Sequence, residues 1–195
     1  MRLEKASTKA IKYAIMNYHY SKSVPMVQCA YSVFNDNDEW CGVICYAIGA
    51  NNNIAKPYSL KQGEVIELVR VALNGKQSHT SKAVSISLKL LEKSSPLVRL
   101  VVSYADTEQN HVGILYQSMN WYYTDYITSG MDKCVMDGKA VHKKTINSRF
   151  GTTAGLVIVK SLPKHKYIYP LDKSLIPMCK RLSKPYPKKQ SAVIV

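Results

Sequence analysis

Between Glu64 and Ser95 the chain reads EVIELVRVALNGKQSHTSKAVSISLKLLEKSS, and this stretch limits the fold more than any other. Residues 65–73 are dense in β-branched side chains and apolar on both alternating sets, as a strand covered on both faces must be. Only Glu67 and Arg70 interrupt it. Three apart on a strand, those two are expected on opposite faces, one lining a site and the other anchoring a neighbour. A polar loop follows over 74–81, and Val84, Leu88 and Leu91 then recur at helical spacing. A strand running through a polar loop into a helix leaves free backbone amides at the positive end of the helix dipole, which suits phosphate.

The remaining segments supply a sheet around that unit. Residues 7–16 carry Ala10, Ile11, Ala14 and Ile15 at helical spacing, and run into a polar aromatic loop where His19 lies between Tyr18 and Tyr20. Residues 27–34 and 42–50 read as a hairpin about the polar turn 35–39. Pro57 and Gly63 argue against regular structure in the loop that follows. Residues 97–105 (LVRLVVSYA) form a strand buried on both faces and ending at Asp106. A helix over 110–119 with Asn110 as its N-cap and an aromatic strand over 121–128 complete the order. Helix, hairpin, strand, helix, strand, helix, strand predicts a single α/β domain, a mixed central sheet flanked by helices with at least one parallel crossover.

Beyond Gly130 the character changes. Of 27 basic and 13 acidic side chains, residues 131–195 hold 14 and 3, so most of the net charge of +14 lies in the last third. Either this half meets a polyanion, nucleic acid ahead of an anionic membrane, or it is a basic surface kept for solubility. Residues 1–130 are read as the catalytic core and 131–195 as a basic C-terminal part of the same domain. That part has a tight turn at Asp137-Gly138, a short basic helix within 142–152, a strand over 164–170 and a flexible tail over 184–189. Five cysteines without a CxxC pair read as small core residues, with Cys41 and Cys45 on one strand face. With no signal peptide or long apolar run, the chain is expected in the cytoplasm.

Strand EVIELVRVAL, polar loop, helix, strand VRLVVSYAD and a helix bearing Tyr116 resemble the core of the GNAT acyltransferases. That resemblance implies coenzyme A pyrophosphate at the N-terminus of the 80–94 helix, pantetheine between the two strands, and Tyr116 protonating a leaving thiolate. Gln77-Ser78-His79-Thr80-Ser81-Lys82 stands where the family has Gln/Arg-x-x-Gly-x-Gly/Ala, with Thr80 in place of the first Gly. Gln77, Ser81 and Lys82 are the candidate cofactor contacts; as an alternative, Ser81 is an ordinary helix cap.

His19-Tyr20-Ser21, GEVIELVRVALN (63–74), SYAD (103–106), NHVGILYQSMNW (110–121), GKAVHKKTINSRFGT (138–152) and KHKYIYPLD (164–172) also resemble the Mom proteins of phage Mu and other phages. The resemblance implies addition of a carbamoylmethyl group to adenine N6 in double-stranded DNA, protecting phage DNA from host restriction enzymes. It implies action in the bacterial cytoplasm, acetyl-CoA as donor and room for iron. The alternative is a GNAT N-acetyltransferase acting on a protein or RNA amine; a third reading is a basic DNA-binding protein without catalysis.

Adenine N6 is a poor nucleophile, so such an enzyme must hold the base out of the stack, take a proton from N6 and align an electrophile. Asp106, at the C-terminal end of a buried strand, is the expected carboxylate for N6, or else a turn cap. Tyr116 is expected to face back toward it, as general acid or as core aromatic. His19, Tyr20 and His111 are candidates for the base pocket or for metal ligands, and Glu67 and Arg70 complete the set. Lys139, Lys143, Lys144, Arg149, Lys164 and Lys166 are expected to neutralise DNA phosphates. Tyr167 and Tyr169 read equally as sheet aromatics or stacking platforms.

Overall fold

The computed structural model describes residues 1–49, 53–127, 132–136 and 138–188. In chain order the elements are β1 (Arg2–Lys5), α1 (Thr8–Tyr18), β2 (Cys29–Phe34), β3 (Trp40–Ala47), β4 (Val65–Leu73), α2 (Thr80–Ser94), β5 (Leu100–Asp106), α3 (Ile114–Ser118), β6 (Tyr122–Ile127), β7 (Lys133–Met136), β8 (Lys139–His142), α4 (Lys143–Phe150), β9 (Ile158–Val159), β10 (Lys164–Pro170) and α5 (Ile176–Leu182). Among the described residues seven strands form one sheet, β1-β2-β3-β4-β5-β10-β6, in which only β4 and β5 run parallel. The expected mixed sheet with one parallel crossover is therefore present, and α2 is that crossover. Strand β10 lies between β5 and β6, so the C-terminal part of the chain sits in the middle of the sheet.

Both faces are covered because the central strands β3, β4 and β5 are largely apolar on both sets. Ala83, Val84, Leu88 and Leu91 of α2 pack on one face against Ile44, Tyr46, Ile66 and Leu68. Ala14 and Ile15 of α1 cover the other face at Val43, Cys45 and Ala72. Farther along that second face, Leu175 and Cys179 cover Val65, Leu100, Val102 and Ile168. Between β6 and β10 the chain leaves the main sheet and builds a separate three-stranded one, β8-β7-β9, with α4 against it.

Several expectations are corrected here. Strand β3 carries an extra residue at Cys41, where the pairing with β2 slips, so Cys41 faces α2 while Cys45 faces α1. Gly42, next to it, has φ +126, and a Cβ there would overlap the Ala72 carbonyl oxygen. Asn110 is not a helix N-cap. Asp106 instead caps a 3-10 turn over Thr107–Gln109, Asn110 ends it at φ 54, and α3 starts only after Gly113 at φ 80. The tail is fastened rather than flexible over 184–187. Lys184 N–H donates to Tyr123 O (2.8 Å), Tyr186 OH to Trp121 O (2.7 Å), and Gln117 Nε2 to Pro187 O (3.2 Å). Lys189 and Asp137 lie outside the described residues. Tyr167 is a fully buried core aromatic, and Tyr169 packs on Trp121 at 5.3 Å between ring centres.

The bulge at Cys41 is the tightest backbone constraint in the sheet. Gly42→Ala is expected to destabilise the protein by at least about 3 kcal/mol, combining positive-φ strain with overlap against β4. A lowered urea midpoint with an unchanged slope is the expected result.

Candidate active site

The pairing of β4 with β5 covers only Val65–Leu100, Ile66–Val101 and Glu67–Val102. The paired end is clamped by Arg99, whose guanidinium reaches Asp172 Oδ2 (2.8 Å) and Glu64 Oε1 (3.1 Å). Past Glu67 the strands diverge, and Leu68 O takes a hydrogen bond from the Ser103 side chain of β5 (Oγ, 2.8 Å) rather than from the β5 backbone. One residue on, the ladder with β3 slips at Val69: Leu68 pairs with Tyr46, but Arg70 pairs with Cys45. The Val69 carbonyl accepts from Arg70 Nη1 at 2.7 Å.

That bulge corrects the expectation for Glu67 and Arg70. An extra residue inverts the alternation, so the two side chains share the α1 face rather than opposite faces. Alternation along β5 puts Tyr104 and Asp106 on the same face, and the β10 register adds Lys166 opposite Tyr104 and Lys164 opposite Asp106. From the end of α1 come His19 and Tyr20. The structure therefore brings His19, Tyr20, Glu67, Arg70 and Asp106 together and adds Lys164, which had been expected on a phosphate-binding surface.

Asp106 is saturated with donors. Its Oδ2 accepts from Tyr20 OH (3.1 Å) and pairs with Lys164 Nζ (3.2 Å), and its Oδ1 accepts from Glu108 N–H (3.1 Å). Burial would raise its pKa, but Lys164, Tyr20 and the Glu108 amide together hold it below the ordinary carboxylate value. It is ionised and a weak base. Tyr20 is shifted the other way, upward, by burial and by the Asp106 charge, and so stays a donor. Glu67 differs: burial dominates and raises its pKa against the opposing charges of Arg70 and Lys164. Of the two carboxylates, Glu67 is the stronger base.

His19 is also defined. Ser21 N–H donates to its Nδ1 (3.2 Å) and Ser21 Oγ lies 2.9 Å from the same nitrogen. An acceptor Nδ1 places the proton of the neutral ring on Nε2. Burial first, then the positive charge of Arg70, lowers the His19 pKa to about 4. The ring stacks on Tyr20 at 4.4 Å, and His111 meets Tyr20 edge-on at 5.9 Å. Arg70 reaches Ser23 O (3.3 Å), while its buried Nε has no hydrogen-bond partner among the described residues.

Tyr116 does not face Asp106, because Ser103, its partner at 2.7 Å, points to the opposite side of β5. A carbonyl only accepts, so the single Ser103 proton goes to Leu68 O and Tyr116 donates to Ser103. Tyr116 packs against Trp121 and Tyr167, each at 5.1 Å between ring centres, yet its hydroxyl sits at the gap between β4 and β5. Burial raises its pKa, and the Glu67 charge across the gap adds to this.

At the start of α2 the N-cap residue is His79, whose side chain makes no cap bond; Ser81 is inside the first turn and is not the cap. Gln77 Nε2 donates to Thr80 Oγ1 (3.0 Å), leaving Gln77 Oε1 buried without a partner among the described residues. Lys82 is exposed. On α4, Lys143 is half-buried and Arg149 exposed; the side chains of Lys139 and Lys144 lie outside the described part of the structure. Lys166 lies over the Tyr58 ring (4.9 Å) and burial lowers its pKa; its register opposite Tyr104 puts it on the face that carries Asp106. Sequence reasoning missed Ser103, Tyr104 and Tyr58; the alternation of Lys164 and Lys166 along a strand was the available sign that both share a face. Among the described residues no group of three or more His, Cys, Asp or Glu is placed to hold a metal, so the iron expectation finds no ligand set there. No described helix is long and apolar enough to cross a membrane.

A model of the Mom protein family matches residues 1–188. The "methylcarbamoylase mom" of Escherichia phage Mu is 28% identical over 211 residues, covering 96% of this chain and 84% of that one. Among solved structures, a mutant of the spermidine N-acetyltransferase SpeG from Vibrio cholerae superposes with a TM-score of 0.52 at 9% identity, over 91% of this chain and 99% of that one. A putative phosphinothricin N-acetyltransferase gives 0.50 at 9% identity, over 88% and 99%. The fold is that of the GNAT acetyltransferases.

The depressed His19 pKa carries a stability consequence. Its folded value of about 4 lies below the ordinary 6.5, so as pH falls the unfolded chain binds a proton first. Stability is full above about 6.5 and is lost as pH drops toward 4. His19→Gln is expected to flatten that part of a plot of urea midpoint against pH, and NMR of the wild-type ring should show the Nε2–H tautomer at neutral pH.

Proposed function

The chain belongs to the Mom protein family and is a transferase, and from that premise we propose that it adds a carbamoylmethyl group to adenine N6 in double-stranded DNA. In this reading it protects phage DNA from host restriction enzymes and works in the bacterial cytoplasm. The observation that carries the proposal is the side-chain cluster on the α1 face, the candidate cleft for the base: a half-buried carboxylate of raised pKa, Glu67, beside an ionised and fully held one, Asp106, with Arg70, His19, Tyr20 and Lys164 around them.

An acyl-CoA fits the residues present. The first amides of α2 have no side-chain cap, Ser81 lies in that first turn with Lys82 exposed beside it, and the strands past Glu67 part toward Tyr116. Those amides, Ser81 and Lys82 would hold the phosphates; the Gln77 Nε2 donor is given to Thr80, which stands where the family has glycine, and Gln77 Oε1 only accepts. When bound, the group supplies an activated two-carbon unit on a thiol leaving group. Attack of N6 on a thioester carbonyl yields an N6-acyl adenine, whereas a carbamoylmethyl group joins N6 through a methylene carbon; the reaction therefore includes a step besides acyl transfer.

The side chains divide the remaining work. Glu67 takes the N6 proton as the new bond forms, its raised pKa bringing it nearer the working pH than Asp106. Asp106 is a positioning residue: it fixes the Tyr20 hydroxyl and the Lys164 ammonium, which line the space for the base. His19 presents an Nε2–H donor, and Arg70 a fixed positive charge. Tyr116 keeps a proton at the gap, available to a leaving thiolate.

Nucleoside mass spectrometry of DNA from cells expressing the protein tests this. Wild-type protein should yield carbamoylmethyl-adenine, and Glu67→Gln should lower its amount by about 100-fold or more, the usual scale for loss of a general base. Asp106→Asn should lower it less. Unmodified adenine beside acetylated protein or RNA would sink the proposal in favour of an ordinary N-acetyltransferase.

A further inference from the structure

The insertion between β6 and β10 has surface chemistry that the cleft does not use. Phe150 is 57% exposed, Val157 69%, Ile158 49%, Val159 42% and Leu162 53%. An exposed group of large apolar side chains on a small module marks a contact surface rather than a core. Over the whole insertion, residues 128–163, the sequence holds six basic side chains, Lys133, Lys139, Lys143, Lys144, Arg149 and Lys160, against two acidic ones, Asp132 and Asp137. Apolar side chains on a module of net positive charge match a polyanion that also offers apolar surface, and the stacked bases of a duplex are such a surface.

The module is fastened beside the cleft. Glu108, two residues past Asp106, pairs with Lys133 at the start of β7 (2.7 Å) and accepts from Leu162 N–H (3.4 Å). Thr107 Oγ1 donates to Pro163 O at the module's other end. Leu162 is two residues from Lys164, which touches Asp106. DNA lying on the module is thereby brought to the mouth of the cleft.

We propose that this insertion is a base-opening wedge: Arg149 and its basic neighbours seat the duplex backbone, and Phe150, with the exposed side chains of Val157 and of β9, enters the base stack so that one adenine leaves it for the cleft. This rests on the reading of the chain as a DNA adenine-modifying enzyme. Removing a base from the stack is unfavourable, and an apolar side chain filling the vacated space offsets part of that cost.

The test separates opening from chemistry. Full-length protein is mixed with a pool of duplexes carrying 2-aminopurine in place of adenine in varied contexts, whose fluorescence rises on unstacking. Wild-type protein and Glu67→Gln should both raise it. Phe150→Ala and, separately, Val157→Ser should lose most of the rise; both sites are exposed, so the fold is preserved. In cells, Phe150→Ala should lower modified adenine by about tenfold or more, while Arg149→Ala should weaken duplex binding and reduce its salt dependence. A full fluorescence rise with both wedge variants would overturn the proposal, as would no rise with wild-type protein. If wild-type protein unstacks 2-aminopurine yet no adenine is modified in cells, the wedge stands and the modification reading fails.

Discussion

Three residues of parallel pairing between β4 and β5 decide where the rest of this protein's chemistry goes. A buried strand must satisfy its amides and carbonyls, and a strand that parts from its neighbour leaves them stranded. Here the stranded groups are met by side chains: Ser103 takes Leu68 O, and Arg70 folds back on Val69 O. The gap is thus a satisfied structure rather than a frayed edge, held shut at one end by Arg99 between Glu64 and Asp172. Because Ser103 also binds Tyr116, the group that closes the backbone account is the one that sets the tyrosine hydroxyl at the gap.

The bulge at Val69 does the complementary job. Without it Glu67 and Arg70 would lie on opposite faces, and Glu67 would have only Lys164 to oppose its burial. With it, Arg70 stands beside Glu67 but does not hydrogen-bond it, so attraction moderates the burial effect without cancelling it. Asp106 has the opposite environment, four residues past the point where β5 leaves β4: a lysine, a tyrosine and a backbone amide, all donating. Two carboxylates on one face thus acquire different proton affinities from their hydrogen bonds and burial, a division that acid–base chemistry at neutral pH requires.

Much of this architecture was legible because it rests on apolar alternation. The 65–73 strand, the 80–94 helix, the hairpin and the buried strand ending at Asp106 follow from patterns that hold along whole elements. What failed is what one residue can overturn. Glu67 with Arg70, and Cys41 with Cys45, were placed by counting in twos, and each pair spans a bulge that inverts the count. Asn110 has the chemistry of an N-cap, but the Asp106 carboxylate captures Glu108 N–H first and starts a 3-10 turn that Asn110 ends. The tail of 184–187 is rich in lysine and proline and looks unstructured, yet its bonds to Tyr123, Trp121 and Gln117 depend on partners more than sixty residues away. Lys164 looked like one more basic side chain of a basic half; only the register of β10 against β5 reveals its partner.

The turn after Asp106 joins the two halves of the chain's charge. Glu108 gives its amide to Asp106 Oδ1 and its carboxylate to Lys133 and the Leu162 amide. One residue therefore fixes both the Asp106 carboxylate and the position of the basic insertion. Surface ion pairs contribute little stability singly, but one that shares a residue with two backbone hydrogen bonds sets geometry. A carboxylate whose donors include an amide of that turn is held in register with whatever the insertion grips. The acidic character of residues 100–127, which contain Asp106, Glu108 and Asp125 and no lysine or arginine, then has a physical reason. Each of these carboxylates meets a lysine supplied by the C-terminal third, Lys164, Lys133 and Lys184 respectively, so the charge asymmetry of the sequence is in part a set of contacts that fastens the basic third to the core.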